Sequence, residues 1–599
     1  MDRVVRIGGG SAYFADSALG VPQLLAAGGL DYLIFDYLAE ASMGMFGRAR
    51  RSPTPSCYPP DFLNVHVGPH LHEIARQKIR IVANAGALDP IGLARAVEAR
   101  IAAEGLSLTV AAVTGDDLID RVAELRKAGH RDMFTGAAFP EEVLTCNAYL
   151  GAFPIAEALA AGADIVITGR VVDSAIVLGP LIHEFGWGRD DHDLLAAGTL
   201  AGHLLECSTQ VTGGTFTDWE AVEDWETIGF PIGEVRTDGS VTITKPAGTG
   251  GLVSVGTVAE QLLYEVSDPA DYIVADVSCD FSDVRLAPDG PDRVIVSGAR
   301  GRPPTPFLKT SITHDKGWRT VGLTPIVGEA AGAKARRQGA ALLARARSLL
   351  RGANLPDFTA SSVIVIGEEA SFGAHARVRD AREVVMKITA DHPMVEGAGL
   401  FAREQASGIS TMSVGTGVNL ATNVQPLTGN FAFLIPRDEV EARVTMGERS
   451  WSVAAGDGRS TMPAQPALES AAPDGADLIA VDLIRLAWGR SGDKGDLFNV
   501  AIIAREPDWL PWIAAAMGAA QVGDWYRHLT PEGHPPKVDR YAVPGIAALN
   551  FVVRDALGGG ILAGAGLDPA AKGMAQLIMR FPIPVPRQIA ATVQPEVLA

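Results

Sequence analysis

Apolar residues over 1–185 fall into two rhythms. Short unbroken runs (Val4 to Ile7, Asp31 to Phe35, Ile79 to Asn84, Leu108 to Val113, Asp164 to Thr168) read as buried strands. Between them Val21 to Ala27, Leu93 to Glu104, Asp117 to Lys127 and Ala156 to Ala161 repeat every three to four residues and read as helices, with Gly105 stopping the second. Continuous apolar strands alternating with helices predict a parallel sheet covered on both faces. The fold class expected is therefore α/β, a large, mostly parallel, doubly wound sheet, with a barrel-like β/α arrangement as the alternative. In either, ligands sit at the carboxyl ends of the strands.

Further on, Ser240 to Thr244 alternates as a strand, Leu194 to Leu205 and Leu252 to Val266 have helical spacing, and Tyr272 to Ala275 reads as a strand. Glu329 to Leu350 predicts a helix and Ser362 to Ile366 a strand. Ala454 to Gly475 is rich in Ala, Gly, Pro and Ser without periodicity, and reads as a linker. A second unit then begins. Its strands are Leu478 to Leu486, Phe498 to Ile503, Lys537 to Val543, Ala548 to Val553 and Ile578 to Ile583. Its helices lie near Pro507 to Met517 and Pro569 to Met579. The division expected is a main domain over 1–450, a linker over 451–476 and a small α+β domain over 477–599.

The 599 residues are 47% hydrophobic and 20% charged, which places the chain among soluble globular proteins. A net charge of −19 argues against a nucleic-acid or anionic membrane surface, while leaving room for a local basic pocket. Cys57, Cys146, Cys207 and Cys279 are scattered with no Cys-x-x-Cys, so neither a disulfide framework nor a structural zinc site is expected. No signal peptide or membrane-length apolar run is visible, and a cytoplasmic location is expected.

Candidate chemistry collects at strand ends. Lys245-Pro-Ala-Gly-Thr249-Gly250-Gly251 lies between a strand and a helix, where backbone amides, Lys245 and a cap at Thr249 or Ser254 would suit a phosphate or carboxylate; it also reads as a plain turn. Gly9 and Gly10 end the first strand and allow a ligand or a neighbouring strand to come close. Asp16 and Asp36 lie just past strand ends, and Asn84 is placed to orient a carbonyl or to make a turn. Arg170, after Thr168-Gly169, offers a planar fork for an anion, with Asp173 three residues on as acid/base, cap, or ion-pair partner of Arg170. Glu206 is a candidate general base, Cys207 reads as an inert thiol, and Gly213-Gly214 as a close-approach turn. Arg490, Ser491, Asp493, Lys494 and Asp496 make a dense polar turn between two strands that suits a site, an interface or a hairpin. Asp276, Asp280 and Asp283 have spacing that suits Mg²⁺, but no full calcium-loop pattern accompanies them. No cofactor or metal site is therefore called for.

Three stretches carry a resemblance. Gly162 to Asp173, Gly248 to Glu265 and Arg490-Ser-Gly-Asp-Lys-Gly-Asp496 resemble the acyclic terpene utilisation family AtuA, in order and over nearly the whole chain. The resemblance implies a large N-terminal AtuA domain and a small C-terminal domain of ferredoxin-like type. It implies branched-chain or isoprenoid acyl-CoA catabolism as context, next to a biotin-dependent acyl-CoA carboxylase, and supplies no catalytic residues.

The expectation is an enzyme acting on a CoA thioester or related carboxylate, by hydratase or lyase chemistry, as a homo-oligomer. Arg170, Lys245 and Gly250-Gly251 would hold anionic parts, Asp173 or Glu206 would move a proton, and amides at Gly213-Gly214 or Gly250-Gly251 would face an enolate oxygen. The alternatives are a non-catalytic subunit associated with the carboxylase pathway and a thioester hydrolase. Asp493 and Lys494 are expected to face the main site across the domain boundary.

Overall fold

The computed structural model describes residues 3–53, 57–467, 477–530 and 533–594. Its spine is an eleven-stranded sheet. The order is Arg285–Pro288, Val294–Ser297, Val241–Thr244, Ile232–Arg236, Val4–Ser11, Tyr32–Phe35, Arg80–Ala83, Ile165–Thr168, Val110–Thr114, Ala442–Met446 and Arg449–Val453. Only the five strands from Val4–Ser11 to Val110–Thr114 are mutually parallel. Antiparallel strands extend both flanks. The sheet is thus mixed rather than mostly parallel, and it does not close into a barrel.

The parallel strands are where the chain is most apolar. All four residues of Tyr32–Phe35 and of Ile165–Thr168 are buried. Their side chains alternate between two cores, as a pleated strand requires. Leu33, Ile81 and Ile167 face helices Gly20–Ala27, Leu71–Gln77 and Pro90–Ala103. Ile34, Val82 and Val166 face helices Phe153–Ala160, Ala175–Phe185, His192–Glu206 and Val255–Leu263. The chain leaves Arg80–Ala83 toward the first face and the adjacent Ile165–Thr168 toward the second. Loops diverging from neighbouring strands leave a crevice at their carboxyl ends.

A second, antiparallel sheet is built on the 21-residue strand Phe307–Val327, flanked by Glu383–His392, Ala421–Pro436 and Val143–Ala148, with Ala360–Ile366 at its edge. The sequence reading found only Ser362 to Ile366 of it. Gly317, Pro325 and several threonines interrupt the apolar alternation of the long strand. Tyr272–Ile273, expected as a longer strand, contributes two residues to a small three-stranded sheet.

In the C-terminal unit an antiparallel sheet runs Ala487–Lys494, Leu497–Ala504, Ala548–Val553, Val538–Val543, and Leu478–Asp482 pairs separately with Pro582–Pro586. The expected polar turn at 489–499 is instead two strands with a turn at Gly495 and Asp496, so its polar residues lie on the hairpin itself. Ile578 to Ile583 splits into a helix end, Met574–Ile578, and the strand Pro582–Pro586.

Of the expected linker, 451–453 belong to a strand and 468–476 lie outside the described residues. The stretch between is pinned to the main body, where Arg189 and Arg437 donate to the Ala455 carbonyl and Arg302 to that of Thr461. No helix among the described residues is long and apolar enough to cross a membrane.

The two units are joined by buried amides. Asn499 donates to the Leu263 carbonyl (2.7 Å) and accepts from the Glu265 amide (3.1 Å). Asn550 donates to the carbonyls of Val266 (2.8 Å) and Ser267 (2.7 Å). The carbonyls of Val266 and Ser267 are left open just past the end of helix Val255–Leu263. Asn550→Ala orphans them, and each buried unsatisfied group costs about 1–3 kcal/mol. The expected result is faster protease cleavage between the units, with the core of each intact. Unchanged cleavage would mean that the amide pair does not hold them together.

Candidate functional site

The crevice between Arg80–Ala83 and Ile165–Thr168 gathers charge from both sheets and both units. Asp36 is the first residue after Tyr32–Phe35 and is buried; Asn84, just past Arg80–Ala83, donates to it at 2.6 Å while accepting from the Tyr37 amide at 2.7 Å. Asn84, read as orienting a carbonyl or making a turn, is occupied in orienting Asp36. Burial raises the Asp36 carboxyl well above the usual carboxylate range, and the neighbouring carboxyls of Asp173 and Glu206 raise it further, against the Asn84 bond and Arg170.

Arg170 follows Ile165–Thr168. Its amide donates to Asp116 at 2.8 Å, and its guanidinium bonds Asp173 and lies 4.1 Å over the Tyr149 ring. Arg170 and Asp173 form an ion pair, one of the expected readings, and the pair stands in the crevice. The Arg170 side chain is 5% exposed and that of Asp173 33%, so the guanidinium forms floor and the carboxylate faces the opening. Tyr149 donates to Glu40 (2.6 Å), and Lys309, from the long strand, reaches the same carboxylate at 3.3 Å. Burial pushes Glu40 up, but Lys309, Arg170 and the Tyr149 bond outweigh it and hold Glu40 well below the usual range.

Glu206 ends helix His192–Glu206 with its Oε1 3.2 Å from His203 Nδ1, and its Oε2 is buried with no partner among the described residues. Burial and Asp173 raise it well above the usual range, partly opposed by Lys494 and Arg170. Burial lowers His203 to about 4, so it stands neutral beside a protonated carboxyl. Cys207 is also raised well above a normal thiol by burial and by Glu206, which agrees with an inert thiol.

The C-terminal hairpin closes the opening. Lys494 lies 3.9 Å from Glu265 and Lys572 3.3 Å from it, with Lys572 4.2 Å over the Tyr264 ring. The Lys494 side chain keeps 42% of its surface exposed. Removal from bulk water lowers Lys494, but Glu265, Tyr272, Asp173 and Glu40 outweigh this and raise it. Asp493 is pushed up to about 7 by burial, Glu265 and Glu40. Lys494 and Asp493 therefore come to the crevice from within the chain.

Other expected residues serve the scaffold. Gly9 and Gly10 lack room for a Cβ, which would sit 2.8 Å from the Leu205 carbonyl oxygen and 2.7 Å from the Phe35 ring. The Gly214 amide bonds Thr209, and Gly213 takes φ 106°. Lys245 is held by the Thr249 carbonyl (2.8 Å) and Asp292 (3.1 Å), and the Thr249 hydroxyl bonds Pro246. The Gly250 and Gly251 amides bond the carbonyls of Thr227 (3.0 Å) and Glu223 (2.9 Å). The expected anion nest therefore spends its donors on the chain, and Ser254 rather than Thr249 caps the helix that follows. Arg490 bonds Thr215 and Gln210 and stacks 4.4 Å over Tyr264. Ser491 bonds the backbone of Ala571 and Ala575, and Asp496 accepts the amides of Leu557 and Gly559. Among the described residues no group of three or more His, Cys, Asp or Glu is placed to hold a metal ion; Asp276, Asp280 and Asp283 accept from Ala152, accept from Ser282 and pair with Arg300 respectively.

Asp116 had no place in the sequence reading. Buried, it carries the Arg170 amide and the Asn147 side chain, and borders a cavity of about 290 Å³ with Ala87, Leu88, Pro90 and Thr114. Lys309 and Glu40 also escaped, because neither stands in a motif. Glu265 stood inside the quoted stretch Gly248 to Glu265 without a role.

A family model described as acyclic terpene utilisation family protein AtuA matches residues 5–446, and one described as AtuA ferredoxin-like domain matches 481–584. No curated protein and no solved structure matches the chain.

Burial pushes Asp116 up to about 7. A carboxyl raised in the folded state binds more protons there than in the unfolded chain. Stability is then greatest below the unfolded carboxylate range and is lost as pH rises toward 7, at about 1.4 kcal/mol per pH unit for one group. Asp116→Asn should gain on the wild type by that amount per unit between pH 5 and 7 in urea midpoints; a constant difference would refute the assignment. Gly250→Ala would place a Cβ 2.0 Å from the Asp224 carbonyl oxygen. The expected loss is about 1–3 kcal/mol in thermal unfolding, whatever anion is added. Stability rescued by phosphate would restore the anion nest.

Proposed function

The chain belongs to the acyclic terpene utilisation family AtuA, and from that premise we propose that it is a hydratase or lyase acting on a branched-chain or isoprenoid acyl-CoA or a related carboxylate. Membership is consistent with a role in terpene catabolism. The observation that carries the finer reading is Glu206, a protonated carboxyl with a free buried oxygen, in one crevice with the Asp173 carboxylate and the Lys494 ammonium.

Water addition to an α,β-unsaturated thioester needs a base to take a proton from water as its oxygen attacks the β-carbon. It needs an acid to protonate the α-carbon, and a positive group at the enolate oxygen. Asp173, at the opening, takes the water proton. Glu206, neutral and buried, supplies the α-proton. Lys494 and Arg170 offset charge on the thioester oxygen. The reverse sequence eliminates water. A buried carboxyl whose surroundings raise its proton affinity, as at Glu206, is a usual mark of a general acid. The high thiol of Cys207 speaks against a cysteine-dependent thioester hydrolase. Association with an acyl-CoA carboxylase and homo-oligomer formation belong to the same proposal.

The test begins with a thermal-shift series of short, branched and isoprenoid acyl-CoAs and their free acids, since a ligand of the native state raises its midpoint. The class that shifts the protein is then followed for hydration by the loss of enoyl-thioester absorbance. Glu206→Gln should lower turnover at least about 100-fold with the ligand shift retained, as expected for one acid–base group. Turnover unaffected by Glu206→Gln and Asp173→Asn would overturn the mechanism. Absence of any acyl-CoA shift would overturn the substrate class.

A further inference from the structure

Residues 218–227 read Asp-Trp-Glu-Ala-Val-Glu-Asp-Trp-Glu-Thr. Two single-turn helices, Trp219–Ala221 and Trp225–Thr227, point both indoles at solvent. Trp219 is 58% and Trp225 57% exposed, with ring centroids 6.0 Å apart and planes at 69°. Glu220, Glu223, Asp224 and Glu226 surround them, all exposed and none with an ion-pair partner among the described residues.

The ledge is rigid. Gly250 and Gly251 clamp its second turn through the Thr227 and Glu223 carbonyls, and Asp224 is held at φ 48°. At its start Asp218 takes two bonds of 2.6 Å from Arg505 and one of 2.8 Å from the Trp488 indole. Lys245-to-Gly251 thus braces the far side of a displayed aromatic pair. Fixing two tryptophans in water gives the core nothing. Pre-ordered, they bind a partner without the entropy of ordering them.

We infer that this ledge is a docking surface for a lysine- or arginine-bearing segment of a partner protein. Indole faces attract ammonium and guanidinium groups, and tryptophan is enriched where binding energy concentrates. Four unpaired carboxylates supply the matching field. The chain's own residues outside the description contain no Lys or Arg side chain. A second copy, carrying −19, meets the ledge with repulsion at long range.

The experiment titrates the full chain with octa-arginine, octa-lysine and octa-glutamate peptides by intrinsic tryptophan fluorescence and calorimetry, at about 0.15 M salt. Both basic peptides should bind and octa-glutamate should not. Trp219→Ala/Trp225→Ala, which removes no charge, should weaken binding on the order of tenfold or more at an unchanged unfolding midpoint. Glu220→Lys/Glu226→Lys should do the same through charge. Equal binding by the tryptophan variant, or no binding by the wild type, overturns the proposal in favour of a solvated acidic surface. Tetramethylammonium binding that the variant loses, with peptides unaffected, replaces it with a small-cation cage. A dimer in sedimentation that the variant dissolves replaces it with self-association.

Discussion

A guanidinium buried among carboxyl groups sets the terms for the centre of this protein. Alone in a dry interior, the Arg170 charge would be ruinous. It is tolerated because Asp173 and Glu40 lie near it and the Tyr149 ring lies beneath it; their attraction outweighs the burial cost and holds the group firmly charged. The balance works in both directions. Burial, with Asp173 close by, outweighs the pull of Arg170 on Asp36 and Glu206, and both keep their protons. The centre thereby holds an ionised acid, Glu40, beside two protonated ones, the raw material of acid–base chemistry.

That centre is also where three pieces of chain must agree. The parallel strands bring Asp36, Asn84 and Arg170 to adjacent ends. The antiparallel sheet supplies Tyr149 and Lys309, whose backbones are bonded to one another at 2.9 Å. The C-terminal hairpin reaches over with Asp493 and Lys494, anchored by the amides of Asn499 and Asn550. Each unit has a core of its own, yet the arrangement of charge exists only when all are assembled.

The parallel strands were legible in the sequence because burial on both faces leaves unbroken apolar runs, and the rule about their carboxyl ends led to Arg170 and Asp173. Glu206 was legible as a polar residue ending an apolar helix. The second sheet was hidden, since Phe307–Val327 mixes Thr, Lys, Arg, Gly and Pro into a strand whose faces are half solvated. With it went Lys309. The glycine loop misled for a physical reason: Gly250 and Gly251 do mark close approach, but what approaches is the chain from Glu223 to Thr227. A glycine reports that space is short without naming the neighbour.

The pairing of Ala442–Met446 with Val110–Thr114 joins segments more than three hundred residues apart in the chain. A ribosome delivers Val110–Thr114 long before its partner exists. In that interval the strand has one neighbour, Ile165–Thr168, and an open edge of unpaired amides and carbonyls on an apolar surface. Closing so long a loop is slow, and emerging chains with open edges are prone to stick to one another. Biogenesis of this protein therefore leans on whatever shields nascent edges in its cell.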